Sequence, residues 1–319
     1  MAFLHRGLAA ACLAATACAH SATGPAEPTP THPQGVVVAR TALSAPFGVA
    51  VSSTGTVFVT QLDSGALARF SLPDTLCSGR TRVGSAPTDV AFNSTGTTAY
   101  VTNQLNHNVG IVNVATGVQV DTIPITSGDP YRVLVSPDDQ TLYVSTNSAT
   151  VVAIRLATKT VATTYTLAGA INGLALHPTQ PVLYATSFTS AALFRINLTT
   201  GVVGTVPLSG MPQEVVVSKD GSRLYVANEN GPVDVRDAGT GASITTVIAP
   251  SDAFGMKLSP DGAVLYAGVE SSGIVWAVDT GTLAATPIAV GGVPRRIAFD
   301  RYGTTAIVAD LRGKVVIIR

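Results

Sequence analysis

SKDGSRLYVANEN, residues 218–230, places a short apolar strand directly after an Asp-Gly turn and ends it in a polar, acidic run. Laid over the rest of the chain, the same pattern returns. Comparable turns stand at SSTG 52–55, NSTG 93–96, SPDD 136–139, HPTQ 177–180, SPDG 259–262 and DRYG 300–303. A bulky residue follows each of them: Phe58, Tyr100, Tyr143, Tyr184, Tyr225, Tyr266 and Ile307, spaced by 42, 43, 41, 41, 41 and 41 residues. Seven copies at a near-constant period mark a repeat architecture.

Within a copy the pattern predicts four strands. In the fifth, an apolar segment reaches Val217, the turn follows, and RLYVAN forms a second strand. PVDVRD is the third, and a small-residue turn leads into a fourth. Short runs rich in Val, Ile, Tyr and Thr between turn residues fit antiparallel pairing. Four such strands with their turns fill about forty residues, the size of one propeller blade. The seventh copy stops after its third strand, KVVIIR 314–319, while VVVARTAL 36–43 precedes the first copy. Pairing these two segments closes the ring and hides two sheet edges. The expected fold is therefore all-β: one seven-bladed β-propeller over 36–319, with four-stranded antiparallel blades and the N-terminal strand completing the last.

Bulk composition agrees and excludes some functions. The 319 residues carry 19 basic and 19 acidic side chains, with only 12% charged. That balance argues against the basic surface a nucleic-acid partner requires. Arg6 followed by an apolar run to Ala17 and the small-residue site Ala15-Thr16-Ala17 reads as a signal peptide over 1–17. Cys18 follows immediately and is a candidate for lipidation, the single expected link to a membrane. Residues 18–35, rich in Pro, Thr and Ala, read as a tether. Beyond Cys18 the only cysteine is Cys77, so the folded part holds no internal disulfide.

YVTNQLNHNVGIVNVATGVQV, 100–120, resembles the consensus of the YVTN family of β-propeller repeats. YVANENGPVDV 225–235 is a looser copy, and SPDG 259–262 is a turn that family favours. Copies four to seven depart from the tetrapeptide, with YATS, YVAN, YAGV and IVAD. The resemblance implies a propeller, in a family found in surface-layer-like and periplasmic proteins of varied role. Together with the leader it implies an exported protein of the periplasm or cell surface.

In such a ring the blade-to-blade loops and the loops between second and third strands share one face, here termed the loop face; the turns quoted above lie on the opposite, turn face. Aligning the first strands at Pro46, Pro87, Pro130, Ile171, Pro212, Ala253 and Pro294 places Gly48, Asp89, Arg132, Gly173, Glu214, Gly255 and Arg296 two residues later. The position between holds Phe47, Thr88, Tyr131, Asn172, Gln213, Phe254 and Arg295. Both rows should surround the channel mouth, with the polar run 228–230 beside Glu214. The candidate recognition set is Asp89, Tyr131, Arg132, Asn172, Glu214, Asn228, Phe254 and Arg296, aromatics among polar groups suited to an envelope protein or glycan. A structural reading weighs more: the charges pair with one another or with water, and strand-end Asn and Asp build turns.

An enzymatic alternative rests on a likeness to gluconolactonase-type propeller hydrolases, in which oxygens hold a divalent cation such as Ca²⁺. Asp89, Asn172 and Glu214 are the set that would serve, with Arg132 projecting between them. Of five histidines only His107 reaches the mouth, and no Ser/His/Asp arrangement, phosphate loop or zinc spacing is present. The sequence therefore favours a non-enzymatic binding or scaffolding module needing no cofactor. A metal-dependent lactonase and a purely structural surface protein stand as alternatives.

Overall fold

The computed structural model describes residues 32–40, 43–72, 78–248 and 252–319. Cys18, Cys77, the leader and most of the tether lie outside the described residues. The strands form seven four-stranded antiparallel sheets, six built from consecutive strands and one completed from the other end of the chain. That last sheet orders Pro294–Phe299, Ala306–Asp310, Lys314–Ile318 and Val36–Arg40.

Each blade forms for the reason its sequence suggests. In blade 5, Pro212–Val217 turns into Arg223–Asn228 through a loop clipped by side chains. Ser218 Oγ accepts the Arg223 N–H at 2.9 Å and donates to Asp220 Oδ1 at 2.5 Å. Gly221, at φ +76°, supplies the left-handed residue the turn needs. These hydrogen bonds, led by that from Ser218, lower the Asp220 carboxyl to about 2. The equivalent acceptors are Ser52, Asn93, Ser136, Ser259 and Asp300, each receiving the amide that opens the second strand. In blade 4 the post belongs to His177, whose buried Nδ1 accepts the Thr179 and Gln180 amides while Nε2 donates to Gly221 O at 3.2 Å. His177 is thus a turn residue, as its turn-face position implied.

Blades pack face to face through apolar side chains, with one buried cluster at each of the seven junctions. The junction that shuts the ring joins Val49, Val57, Val59, Ala68 and Phe70 of blade 1 to Ala298, Ile307, Ala309, Val315 and Ile317 of blade 7. Val36–Arg40 pairs antiparallel with Lys314–Ile318, Ala39 opposite Val316 and Arg40 opposite Val315. The ladder continues past the strand, with Gly35 and Arg319 exchanging both backbone hydrogen bonds at 2.9 Å.

Ordered contacts begin inside the segment read as tether. His32 Nε2 lies 2.9 Å from Asp261 Oδ2, and the Tyr266 hydroxyl donates to the Pro33 carbonyl. The reason lies in the neighbouring blades. Tyr184, at the same position in its copy, donates to Ala238 O just past the third strand of the next blade. In blade 7 the N-terminal segment runs past that point, and Pro33 supplies the acceptor a buried phenol requires.

Deleting residues through Arg40 should lower the unfolding midpoint sharply and promote self-association through the bared Lys314–Ile318 edge. Chemical denaturation with light scattering checks this; an unchanged midpoint and a monodisperse solution would contradict the closure.

Candidate functional site

The site begins with a backbone irregularity common to all seven blades. The register between first and second strands shifts within the first residues of every first strand, between Pro46/Val49, Pro87/Asp89, Pro130/Val133, Ile171/Gly173, Pro212/Glu214, Ala253/Met256 and Pro294/Arg296. Such a bulge bends the strand and re-aims its side chains. In three blades a hydroxyl two residues past the marker aromatic caps the amide at the bulge: Thr60 receives Gly48 N–H at 2.7 Å, Thr102 receives Asp89 at 2.9 Å, and Ser145 receives Arg132 at 3.0 Å. The next residue ties down the incoming loop. Gln61, Asn103 and Asp310 side chains accept the amides of Ser44, Gly84 and Val293. The third and fourth positions of the tetrapeptide noted in the sequence thus each have a geometric task.

The row two residues into each blade forms a chain of buried ion pairs. Arg132 Nη1 reaches Asp89 Oδ1 at 3.1 Å and Arg132 Nη2 reaches Glu214 Oε1 at 2.9 Å. The other Glu214 oxygen takes Arg296 Nη1, and Asp89 Oδ2 accepts the Val133 N–H at 3.0 Å. All four side chains are nearly or fully buried. Arg132 spans from blade 3 to blade 5 and Arg296 from blade 7 to blade 5. The blades between carry Gly173 and Gly255, so no side chain stands in either path. At Gly255 a Cβ would meet Arg295 O at 1.9 Å, a close approach that only glycine allows. Burial works against charge on Arg132, but Asp89 and Glu214 outweigh it and hold its pKa above the ordinary value.

The row one residue into each blade closes the loop-face end of the axis. The Phe47 ring meets Phe254 edge-on at 5.7 Å and Tyr131 at 6.1 Å. The Arg295 guanidinium lies 4.3 Å from the Phe254 centroid, and Arg296 lies 5.0 Å from it. Both are cation–π distances. Phe47 and Phe254 are 8% and 4% exposed, whereas Tyr131 keeps part of its surface. Arg295 also pairs with Glu270. Burial raises the Glu270 carboxyl from 4.5 to about 7, Glu229 and Asp252 adding to the rise and Arg295 opposing it.

Below this plug lies a cavity of about 530 Å³, which the ion-pair residues share with the apolar walls of the first strands. Its lining runs to Ser53 and Asn93 in the turns, placing the approach on the turn face rather than at the expected mouth. Lys257 lines it too, four residues after Ala253, in the column that holds Ala50, Ala91, Leu134, Ala175, Val216 and Ala298 elsewhere. The sequence reading passed over the lysine; comparing the column across copies would have exposed it.

Of the eight expected recognition residues, Asp89, Arg132, Glu214 and Arg296 come together and Tyr131 and Phe254 join the plug above them. Asn172 and Asn228 stand apart. Asn172 Oδ1 accepts the Phe188 N–H at 3.2 Å. Asn228 is 1% exposed and donates to Pro232 O at 2.8 Å, while Asn230 accepts the Met211 amide. Much of the run 228–230 therefore builds its own loop. His107, at φ +51°, pairs with Asp129 at 2.7 Å on the exposed surface. As a cation site, Asp89, Asn172 and Glu214 fit poorly: their oxygens already accept protein donors, and a guanidinium stands between the two carboxylates. Among the described residues, no group of three His, Cys, Asp or Glu side chains is placed to hold a metal.

No family model matches the sequence, and no curated protein matches it. Among solved structures, a chain of hydrazine synthase from Kuenenia stuttgartiensis is similar over 91% of this chain and 99% of its own, with 18% identity and a TM-score of 0.79. At that identity the likeness shows the propeller fold and nothing of the activity.

Removing the Glu214 carboxylate as Glu214→Ala leaves two buried guanidinium groups without their counter-charge and should cost about 3–5 kcal/mol in chemical denaturation; a loss under about 1 kcal/mol would mean the chain of ion pairs is not held as described. A second outcome follows from Glu270. Its folded-state pKa exceeds its unfolded value, so the folded protein binds more protons between about pH 4.5 and 7 and its stability falls as pH rises through that window. Unfolding curves across the window should show a shallower fall in Glu270→Gln than in the wild type; parallel curves would remove Glu270 from the titration.

Proposed function

We propose that this protein is a non-enzymatic binding module of the bacterial envelope that holds a protein partner on its loop face. The observation that carries this reading is the engagement of the axis. Glu214 and Asp89 are spent on guanidinium and amide donors beneath a packed aromatic plug. A hydrolase needs a carboxylate or base free to meet substrate or metal, and these groups instead rigidify a platform.

The surface around that platform has the makings of an interface. Leu105, in the short helical turn Gln104–Asn106, is 66% exposed. It borders a groove of about 480 Å³ between blades 1 and 2, with Leu62, Asp63, Arg82 and Val83. An exposed apolar side chain beside charged residues of both signs is the composition of an interface core with its polar rim. Export rests on the leader, and the envelope on the resemblance of 100–120 to YVTN repeats. On this reading Cys18 carries the lipid that anchors the domain.

Affinity capture from solubilised envelope should recover a protein with the wild type and lose it with Leu105→Asp, while Val202→Asp in a distant loop retains it. Capture unaffected by Leu105→Asp, or recovery of a glycan in place of a protein, would overturn the partner or its surface. Calorimetry with Ca²⁺ should show no binding; saturable binding lost in Glu214→Gln would favour the lactonase alternative instead.

A further inference from the structure

The central cavity has an excess of positive charge and of hydrogen-bond donors. Its charged lining consists of Asp89, Glu214, Arg132, Arg296 and Lys257, three cations against two carboxylates. The carboxylates are taken up by the two arginines. Among the described residues Lys257 has no ion pair or hydrogen bond. The surplus is therefore one unit of charge, and it sits on the lysine.

The arginines leave donors over as well. Arg296, with its side chain 4% exposed, finds no acceptor for Nε or Nη2, and Arg132 finds none for Nε. Those three nitrogens are sealed from solvent, so the cavity meets the positive field of the guanidinium groups and not these donors. The Lys257 side chain is exposed along the channel and so open to a ligand, while the surrounding walls and Arg132 draw its pKa below its ordinary value and Glu214 and Asp89 oppose the fall. A bound anion would relieve that pressure.

The rest of the lining says what kind of anion. Beyond the charged end the walls are Val51, Leu134, Leu176, Val217 and Phe299, leading to the turn face. The volume of about 530 Å³ falls within the usual range for small-molecule pockets. One excess positive charge matches a monoanion better than a phosphate dianion. A carboxylate offers two oxygens and about four lone pairs, acceptors enough for the donors of one ammonium. We infer that the cavity binds a small monocarboxylate with an apolar tail, its head on Lys257 and its tail along the first-strand walls. This site is reached from the turn face and is independent of the loop-face partner proposed above.

Sodium octanoate is a suitable probe, with 1-octanol as its neutral counterpart, each titrated calorimetrically into the full chain. Octanoate should bind one to one, about tenfold or more tighter than octanol, because a charge-assisted hydrogen bond contributes about 1.5–3 kcal/mol. Lys257→Gln should lose a similar factor and Lys257→Arg should keep most of the affinity. Raising the pH through the depressed lysine pKa should weaken binding. In the wild type, nuclear Overhauser contacts should join the octanoate α-methylene to the Lys257 side chain, a readout that survives if a variant folds poorly. No binding, equal binding of octanol, or contacts placing the chain away from Lys257 would each overturn the inference.

Discussion

Pairing of Val36–Arg40 with Lys314–Ile318 is the constraint on which the rest of the molecule stands. Six blades can be built from chain neighbours, but a seventh of three strands leaves an open edge beside an open junction. Bringing the two ends together removes that edge and creates the seventh apolar interface, Phe70 and Val59 against Ile307 and Ile317. Once the ring is shut, the seven first strands share an axis, and residues 82 positions apart become partners across it. Pro33 and His32 extend the same seal along blade 6, giving Tyr266 the acceptor that Ala238 gives Tyr184.

The axis then divides into two regions with different physics. At the loop face, Phe47, Tyr131 and Phe254 pack with Arg295 and Arg296 into a plug that excludes water. Just beneath it, exclusion of water strengthens the ion pairs around Glu214 and makes any missing partner expensive. On the other side the walls become aliphatic, and Lys257 stands there without an ion pair. The face that looked open from sequence is the closed one, because bulges at the start of each first strand turn consecutive residues toward the axis.

How much of this was legible follows from the range of each interaction. The repeat, the four strands per copy and the closure are encoded locally in turn residues and a marker aromatic every 41 to 43 positions, and all three can be read from one dimension. The identities of the axis residues were legible for the same reason. Their pairing was not: whether Arg132 turns to Asp89, to Glu214 or to solvent depends on Gly173 leaving its path clear. Asn228 looked like a ligand-facing amide and is a loop brace, a distinction set by a carbonyl four residues away. Lys257 shares a column with alanines and was visible in principle; its isolation is visible only with the charges around it in place.

Amide hydrogen exchange on the native protein tests the closure most directly. The account expects the amides of Val36–Arg40 that donate to Lys314–Ile318 to exchange as slowly as those of the interior second strands, and to gain and lose protection together with Lys314–Ile318. Exchange of Val36–Arg40 at free-chain rates beside a protected Lys314–Ile318 would show that the two ends are not joined, and the shared axis with its plug and cavity would fall with them.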